Sequence, residues 1–421
     1  MIKYKGRAIT YDRILRYPYN LLIGCYNNFA IFIYHYFIIP RKVKVIRNSD
    51  TIKVLFVIAE LGSWKTEELY LSMLSSKRFM PILGVTTSQE VPGSKSILIN
   101  YLEKKNYAFI DIDKPGCSIK DLKPDIKFYY KPYENSYPKK HVFSKNLESL
   151  TCHIQYAFNQ IDEAWAVNHL SIKGSWLVFL ENESVYNCWL KYSFLYKKSL
   201  RVTGYPIQDM LLKNKSFFED PWKNQDKSKK RIIYAPHHSI PGTNGIGIEY
   251  STFLENGEFI LNLAKRLGDT TQWAFKPHPT LYPKLLKIWG EEKTNSYYNE
   301  WKKLSNTQIE LGEYIGLFKH SDAMIHDCSS FLIEYLFVNK PVLFLTSDKT
   351  HISLKSVFTE NAYKAHYKAC EKKEIANFVN DVLNGSDNMA NERNKYITDY
   401  LTPPNNKSAC ENIMNAILGV D

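Results

Sequence analysis

Little in this chain commits it to metal, redox or disulfide chemistry. Its seven cysteines, at 25, 117, 152, 188, 328, 370 and 410, form no CxxC pair and no metal-ligand spacing. An odd, dispersed set reads as reduced thiols filling core space, so a disulfide scaffold is excluded. The glycine-rich segment PGTNGIGIE (241–249) has neither the lysine of a P-loop nor the strand–turn–helix placement of a dinucleotide fingerprint. It reads as a flexible loop, with closure over substrate as a further possibility. There are no internal repeats. No small-residue cleavage site follows the one long uncharged stretch, which excludes a secretory signal peptide. With 44% hydrophobic and 23% charged residues the composition is globular rather than disordered, and 421 residues suit two domains better than one core.

Charge is distributed unevenly. The net charge is +12, and residues 1–50 hold nine Lys/Arg against Asp12 and Asp50. Within that block, no charged residue lies between Arg16 and Arg41, a run rich in aromatics and interrupted by Asn20, Asn27, Asn28 and His35. A spanning helix would have to bury those polar groups in hydrocarbon. A helix in the headgroup region keeps them wet and suits the aromatics and flanking cations. The expectation is therefore a membrane-proximal helix on an anionic surface, with a true span or a helix packed on the enzyme's own core as alternatives. The basic residues flank the apolar stretch and do not thread through it, which argues against a nucleic-acid partner.

From residue 51 the pattern is α/β. TIKVLFVIAE (51–60), a helix over 65–76, MPILGVTT (80–87), NYAFIDID (106–113), DIKFYY (125–130) and DEAWAV (162–167) give a βαβ rhythm. A polar, charged stretch over 213–230 reads as a linker. The rhythm restarts with RIIYAP (231–236), a helix over 255–268, QWAFKPHP (272–279), a helix over 282–304, TQIEL, a helix over 313–321, AMIHD (323–327), a helix over 329–339 and PVLFLT (341–346). The expected layout is a membrane-proximal segment (1–50), a Rossmann-like acceptor lobe (51–212), the linker, and a Rossmann-like donor lobe (231–421), the two lobes facing a cleft.

Ligands in such sheets sit at the carboxyl ends of strands, and three motifs fall there. In AMIHDCSSF a strand delivers Asp327, and Ser329 and Ser330 open a helix whose free amides and positive end suit an anion. Glu334, one turn on, is placed to reach a ribose or base. In KPHP, Lys276 and His278 stand at a strand end, and Pro277 and Pro279 hold the histidine extended, ready for a phosphate oxygen or a proton. In YAPHHSI, His237 and His238 follow a third strand; adjacent histidines point apart, so one at most is the base. No carboxylate or thiol accompanies them at zinc spacing, so no metal and no cofactor is expected.

Together GYPIQD (204–209), YAPHHSI (234–240), YSTFL (250–254), KPHP (276–279), SDAMIHDCSSFLIEYLFVNKPVLF (321–344) and NNKSACENI (405–413) resemble, in order, the CDP-glycerol glycerophosphotransferase family, which builds teichoic-acid-like polymers and some capsules. The resemblance implies a GT-B fold, a CDP-alditol donor, a polymer or lipid-linked acceptor, and peripheral attachment to the inner face of the cell membrane. It implies phosphate contacts for His278, Ser329 and Ser330, with Asp327 leading the turn. Well-known members carry a Trp-His-Gly segment whose histidine is thought to be the base; here the comparable region reads CHIQYAFNQ (152–160), and His153 does not inherit that role. The expected reaction is attack by an acceptor hydroxyl on the distal phosphorus with release of CMP. The alternatives are a glycosyltransferase of the same fold and a non-catalytic membrane-docked scaffold.

Overall fold

The computed structural model describes residues 26–223, 225–240, 250–312, 314–347 and 356–420, and the backbone of two short N-terminal strands. The loop 241–249, expected to be a flexible loop, lies outside these residues. The two N-terminal strands, β1 (Ile2–Tyr4) and β2 (Arg7–Ile9), pair antiparallel.

The first unit comprises Met1–Tyr205 and Pro404–Asp421. Its main sheet contains β3 (Ile52–Ile58), β4 (Phe79–Val85), β5 (Phe109–Asp111), β6 (Ile126–Tyr129), β7 (Leu150–Ile154), β8 (Leu177–Leu180) and β9 (Leu200–Val202). The spatial order is β5-β4-β3-β6-β7-β8-β9, all parallel. Strand β3 reads IKVLFVI and is buried nearly throughout, as a central parallel strand covered on both faces must be.

The second unit is Pro206–Pro403. It contains β10 (Lys230–Ala235), β11 (Thr271–Phe275), β12 (Thr307–Ile309), β13 (Ala323–His326), β14 (Val342–Leu345) and β15 (Tyr367–Ala369). The order is β12-β11-β10-β13-β14-β15, again parallel. Its core is aromatic: Phe275 stacks on Trp301 at 5.0 Å between centroids and meets Tyr297 edge-on at 5.7 Å. Two Rossmann-like units, each a parallel sheet flanked by helices, give the α/β, GT-B-type fold.

Four expectations need correction. The boundary between units falls at Tyr205/Pro206, where Gly204 takes φ +83° to turn the chain. The stretch 213–230 is part of the second unit rather than a linker. Trp222 is buried beneath the Arg231 guanidinium, Arg231 pairs with Asp220 at 2.7 Å, and Gln308 bonds both Pro221 O and Lys223 N. The C-terminal helix Ala409–Leu418 returns to the first unit, burying Ile413, Ala416 and Ile417. Arg47 donates to Ala416 O and Ile417 O at its C-terminal end, where unpaired carbonyls favour a cation. DEAWAV forms a helical turn, Ala164–Val167, with Trp165 exposed, and not a strand.

Residues 26–48 are helical, with a π turn at Tyr34–Ile38. Pro40 has no N–H to give to the carbonyl four residues back, and Ile39 N bonds five back, to Tyr34 O. One side packs on the first unit: Ile31, Tyr34, Ile39 and Ile46 are buried, His35 Nε2 lies 2.6 Å from Lys173 O, and Lys42 Nζ donates to Leu147 O and Glu148 O. The other side exposes Phe29, Phe32, Tyr36 and Phe37. Among the described residues no helix is long and apolar enough to cross a membrane.

Candidate functional site

Strands β11, β10 and β13 are neighbours and parallel, with Tyr234 in register with both Phe275 and Ile325. Their carboxyl ends therefore open on one edge, and the three motifs meet there. His278 N donates to Pro236 O at 3.1 Å, tying the first two loops together. The imidazole centroids of His237, His238 and His278 are 4.2 to 5.0 Å apart.

Each Nδ1 is already engaged by a donor. Ser239 N donates to His237 Nδ1, Thr280 N donates to His278 Nδ1, and the Lys284 amine lies 2.8 Å from His238 Nδ1. That network assigns the ring protons to the three Nε2 atoms. Burial, with repulsion from His238, His278 and Lys284, holds His237 down at about 2. Burial and Lys284 hold His238 at about 4. Burial, then His238, Lys284 and Lys276, hold His278 at about 3. The rings are neutral N–H donors at ordinary pH. One nitrogen from each lies within 4.8 Å of the others, which is also the spacing of a candidate cation cluster. A metal needs lone pairs on the ligating nitrogens, whereas the three Nε2 atoms carry hydrogens and Lys284 stands beside His238. The cluster suits an anion.

Asp327 holds this arrangement. It is fully buried; Oδ1 accepts from His237 N at 2.6 Å, and Oδ2 accepts from Thr252 N at 2.6 Å, Thr252 Oγ1 at 3.1 Å and Ser251 Oγ at 3.3 Å. Burial raises its pKa to about 6 against those hydrogen bonds. Its carboxylate is committed to the scaffold, holding the turn that it leads. The same bonds bring in Tyr250, quoted above as the first residue of YSTFL but given no role in the site: its hydroxyl lies 2.8 Å from Ser329 Oγ and 3.4 Å from His237 Nε2. A chain thus runs from Ser239 through His237 and Tyr250 to Ser329. The YSTFL motif by itself gives Tyr250 no role, because it reaches the site only through the Asp327 bonds to residues 251 and 252. Lys284 was missed for a similar reason; it projects from the long helix Leu281–Lys303.

The expected helix after Asp327 is one turn, Phe331–Glu334, continued by a 3₁₀ turn to Val338. Ser330 is its N-cap position and makes no side-chain cap bond, while Ser329 Oγ meets the Tyr250 hydroxyl. The amides of Ser330 and Phe331 hydrogen-bond to the Cys328 sulfur. Lys276 is buried, donates to Gly312 O at 3.0 Å and lies over the Tyr314 ring. Glu334 is also buried. His153 sits inside β7, fully buried, and burial lowers it to about 3. A cavity of about 610 Å³ lies elsewhere, lined by Arg41, Lys42, Lys120, Lys123 and Glu148. It opens at the amino ends of β6 and β7, opposite the strand ends that carry chemistry in such sheets.

A putative UDP-N-acetylglucosamine 2-epimerase from Listeria monocytogenes shares the fold at TM-score 0.58 and 14% identity, over 87% of this chain and 96% of that one. The UDP-GlcNAc 2-epimerase of Neisseria meningitidis aligns at 0.56 and 17%, over 87% and 100%. The wall teichoic acid polymerase TagF aligns at 0.56 and 12%, over 93% and 97%. No curated protein sequence matches. Residues 155–419 match the family described as CDP-Glycerol:Poly(glycerophosphate) glycerophosphotransferase, a span that contains all three strand-end motifs, and the chain belongs to that family.

Proposed function

We propose that this protein transfers a glycerol-phosphate or related alditol-phosphate unit from a CDP-linked donor to a hydroxyl on a polymer or lipid-linked acceptor. The observation that carries this reading is the convergence of three neutral imidazole N–H groups with Lys284, Tyr250 and Ser329 at the carboxyl ends of β10, β11 and β13. Such a cluster matches a diphosphate, and a TagF structure soaked with CDPG supports a cytidine donor by analogy. The acceptor oxygen bonds to the distal phosphorus, the bond to the bridging oxygen breaks, and its electron pair leaves with CMP. Phosphoryl transfer of this kind is mainly positioning and charge stabilisation. His278, Ser329 and Ser330 bind the phosphates, and His237 and His238 complete the donor set.

The exposed aromatic side of the helix over 26–48, with Phe29 at 65% exposure and Arg41 and Lys44 on the same helix, supports peripheral attachment to an anionic membrane face. The test of the reaction is product identity. Purified protein incubated with CDP-glycerol, other CDP-alditols and nucleotide sugars should release CMP from the alditol donors. Release of a nucleoside diphosphate from a nucleotide sugar would establish a glycosyltransferase instead, and no release from any donor would favour a scaffold.

A further inference from the structure

We propose that the cavity at the amino ends of β6 and β7 binds the phosphate headgroup of an anionic lipid. The site deepens the peripheral attachment proposed above and rests on that reading. Every residue lining it belongs to the first unit. Arg41, Lys42, Lys120 and Lys123 supply its cations, and its volume of about 610 Å³ is that of a small-molecule site, commonly about 300–1,000 Å³.

Two acids also line it. Asp125 Oδ2 accepts from Lys53 N at 2.8 Å, and Glu148 Oε1 lies 3.7 Å from Lys120 Nζ. Four cations against two carboxylates leave a positive field. Behind the wall Lys127 is fully buried and donates at 2.9 Å to the carbonyl of Ser149, a lining residue. Burial, then repulsion from Lys42, pushes the Lys127 amine down to about 7. An anion in the cavity offsets that repulsion.

Two features select a lipid over a free anion. The first is the apolar lining: Ile46, Ile119 and Pro124 are buried, and Val45 stands exposed at the mouth. Inorganic phosphate has nothing to bury there, whereas the glycerol backbone and first methylenes of a lipid do. The second is the π turn at Tyr34–Ile38. It adds a residue to one helical turn and sets the following residues back by about 100°. Unshifted, Arg41 and Val45, at i+7 and i+11 from the buried Tyr34, would point the same way as it does. Shifted, they emerge on the exposed side with Phe29, Phe32 and Tyr36, while Ile39 and Ile46 stay buried. Tyr36 and Arg41 are separated by roughly 7 Å of helix, so a bilayer touching the rings meets the cavity mouth.

The test titrates the full chain by calorimetry with a short-chain phosphatidylglycerol below its micelle concentration. Parallel arms use glycerol 3-phosphate, inorganic phosphate and phosphatidylglycerol vesicles. One monomeric lipid per chain should bind saturably, at least about tenfold tighter than either soluble phosphate, and excess CDP-glycerol should not displace it. Lys120→Gln with Lys123→Asn should weaken binding at least about tenfold; asparagine suits the left-handed φ of +46° at position 123. Val45→Trp, at an exposed position, should block the mouth and weaken binding similarly, although an added tryptophan favours general attachment to an interface. Lys302→Ala with Lys303→Ala, which removes the same charge from the second unit, should leave binding unchanged. Equal or tighter binding of a soluble phosphate, displacement by CDP-glycerol, or lipid binding untouched in both cavity variants would overturn the site. Vesicle binding without binding of the monomeric lipid would overturn the cavity and leave peripheral attachment intact. Loss of both would overturn attachment as well.

Discussion

At the scale of single residues, the site is a set of hydrogen-bond donors whose direction is fixed by neighbours. Replacing His278 by Ala, or Ser329 and Ser330 together by Ala, should lower turnover by at least roughly two orders of magnitude, a common loss when a transition-state donor is removed. Melting temperatures should change little, and near-normal turnover in both variants would make the anion site untenable. Histidine burial also sets an acid limit on stability. His153, His237, His238, His278 and His326 all sit below their ordinary value of 6.5. The unfolded chain therefore binds more protons between pH 6.5 and about 4, and stability falls as pH falls through that window. Asp327 and Glu181, raised to about 6 and about 7, have the opposite sign there, but five histidines outnumber two carboxylates. A melting series from pH 7.5 to 4.5 should show a steady decline; a flat series would mean the rings are not held neutral.

At the scale of elements, the returning C-terminal helix is a structural part of the first unit. Deleting residues 404–421 removes Ala409, Cys410, Ile413, Ala416 and Ile417 from burial. At about 1.5–3 kcal/mol for each large apolar side chain, the loss is several kcal/mol, to be seen as a lower urea midpoint. Arg47→Ala should lose a smaller part of this, about 1 kcal/mol, from the bonds to Ala416 O and Ile417 O. Long apolar runs such as β3, β10, β13 and β14 were legible because a strand buried on both faces needs nearly every residue apolar. The edge strands β9 and β15 were not, since three residues carry no periodicity; β5 and β12, equally short, were legible through the longer runs 106–113 and TQIEL around them. DEAWAV was misread for the same reason: over six residues, helical and strand patterns overlap.

At the scale of the whole molecule, the open question is where the enzyme works. If the aromatic side of the 26–48 helix lies in a membrane interface, binding combines apolar burial with attraction of the basic block to anionic lipid. The full chain should sediment with vesicles containing anionic lipid and should bind less as salt rises. Phe29→Ser with Phe37→Ser should weaken that binding without unfolding the protein, because both rings are exposed. Point substitutions are the better probe than truncation at Asp50, since His35, Lys42 and Arg47 bond into the first unit. A full chain that ignores such vesicles would leave the helix with a packing role only.

The sequence by itself determined the α/β class, the restart of the rhythm near residue 231, and the three strand-end motifs, because strand burial and proline punctuation are local properties. It named His237, His238, His278, Ser329 and Ser330 as a group, and adjacent parallel strands do bring them to one edge. Which ring nitrogen carries the proton was decided only in three dimensions. The proton on each Nε2 depends on Ser239, Thr280 and Lys284, and the placement of Tyr250 depends on a buried Asp327 some 75 residues away along the chain.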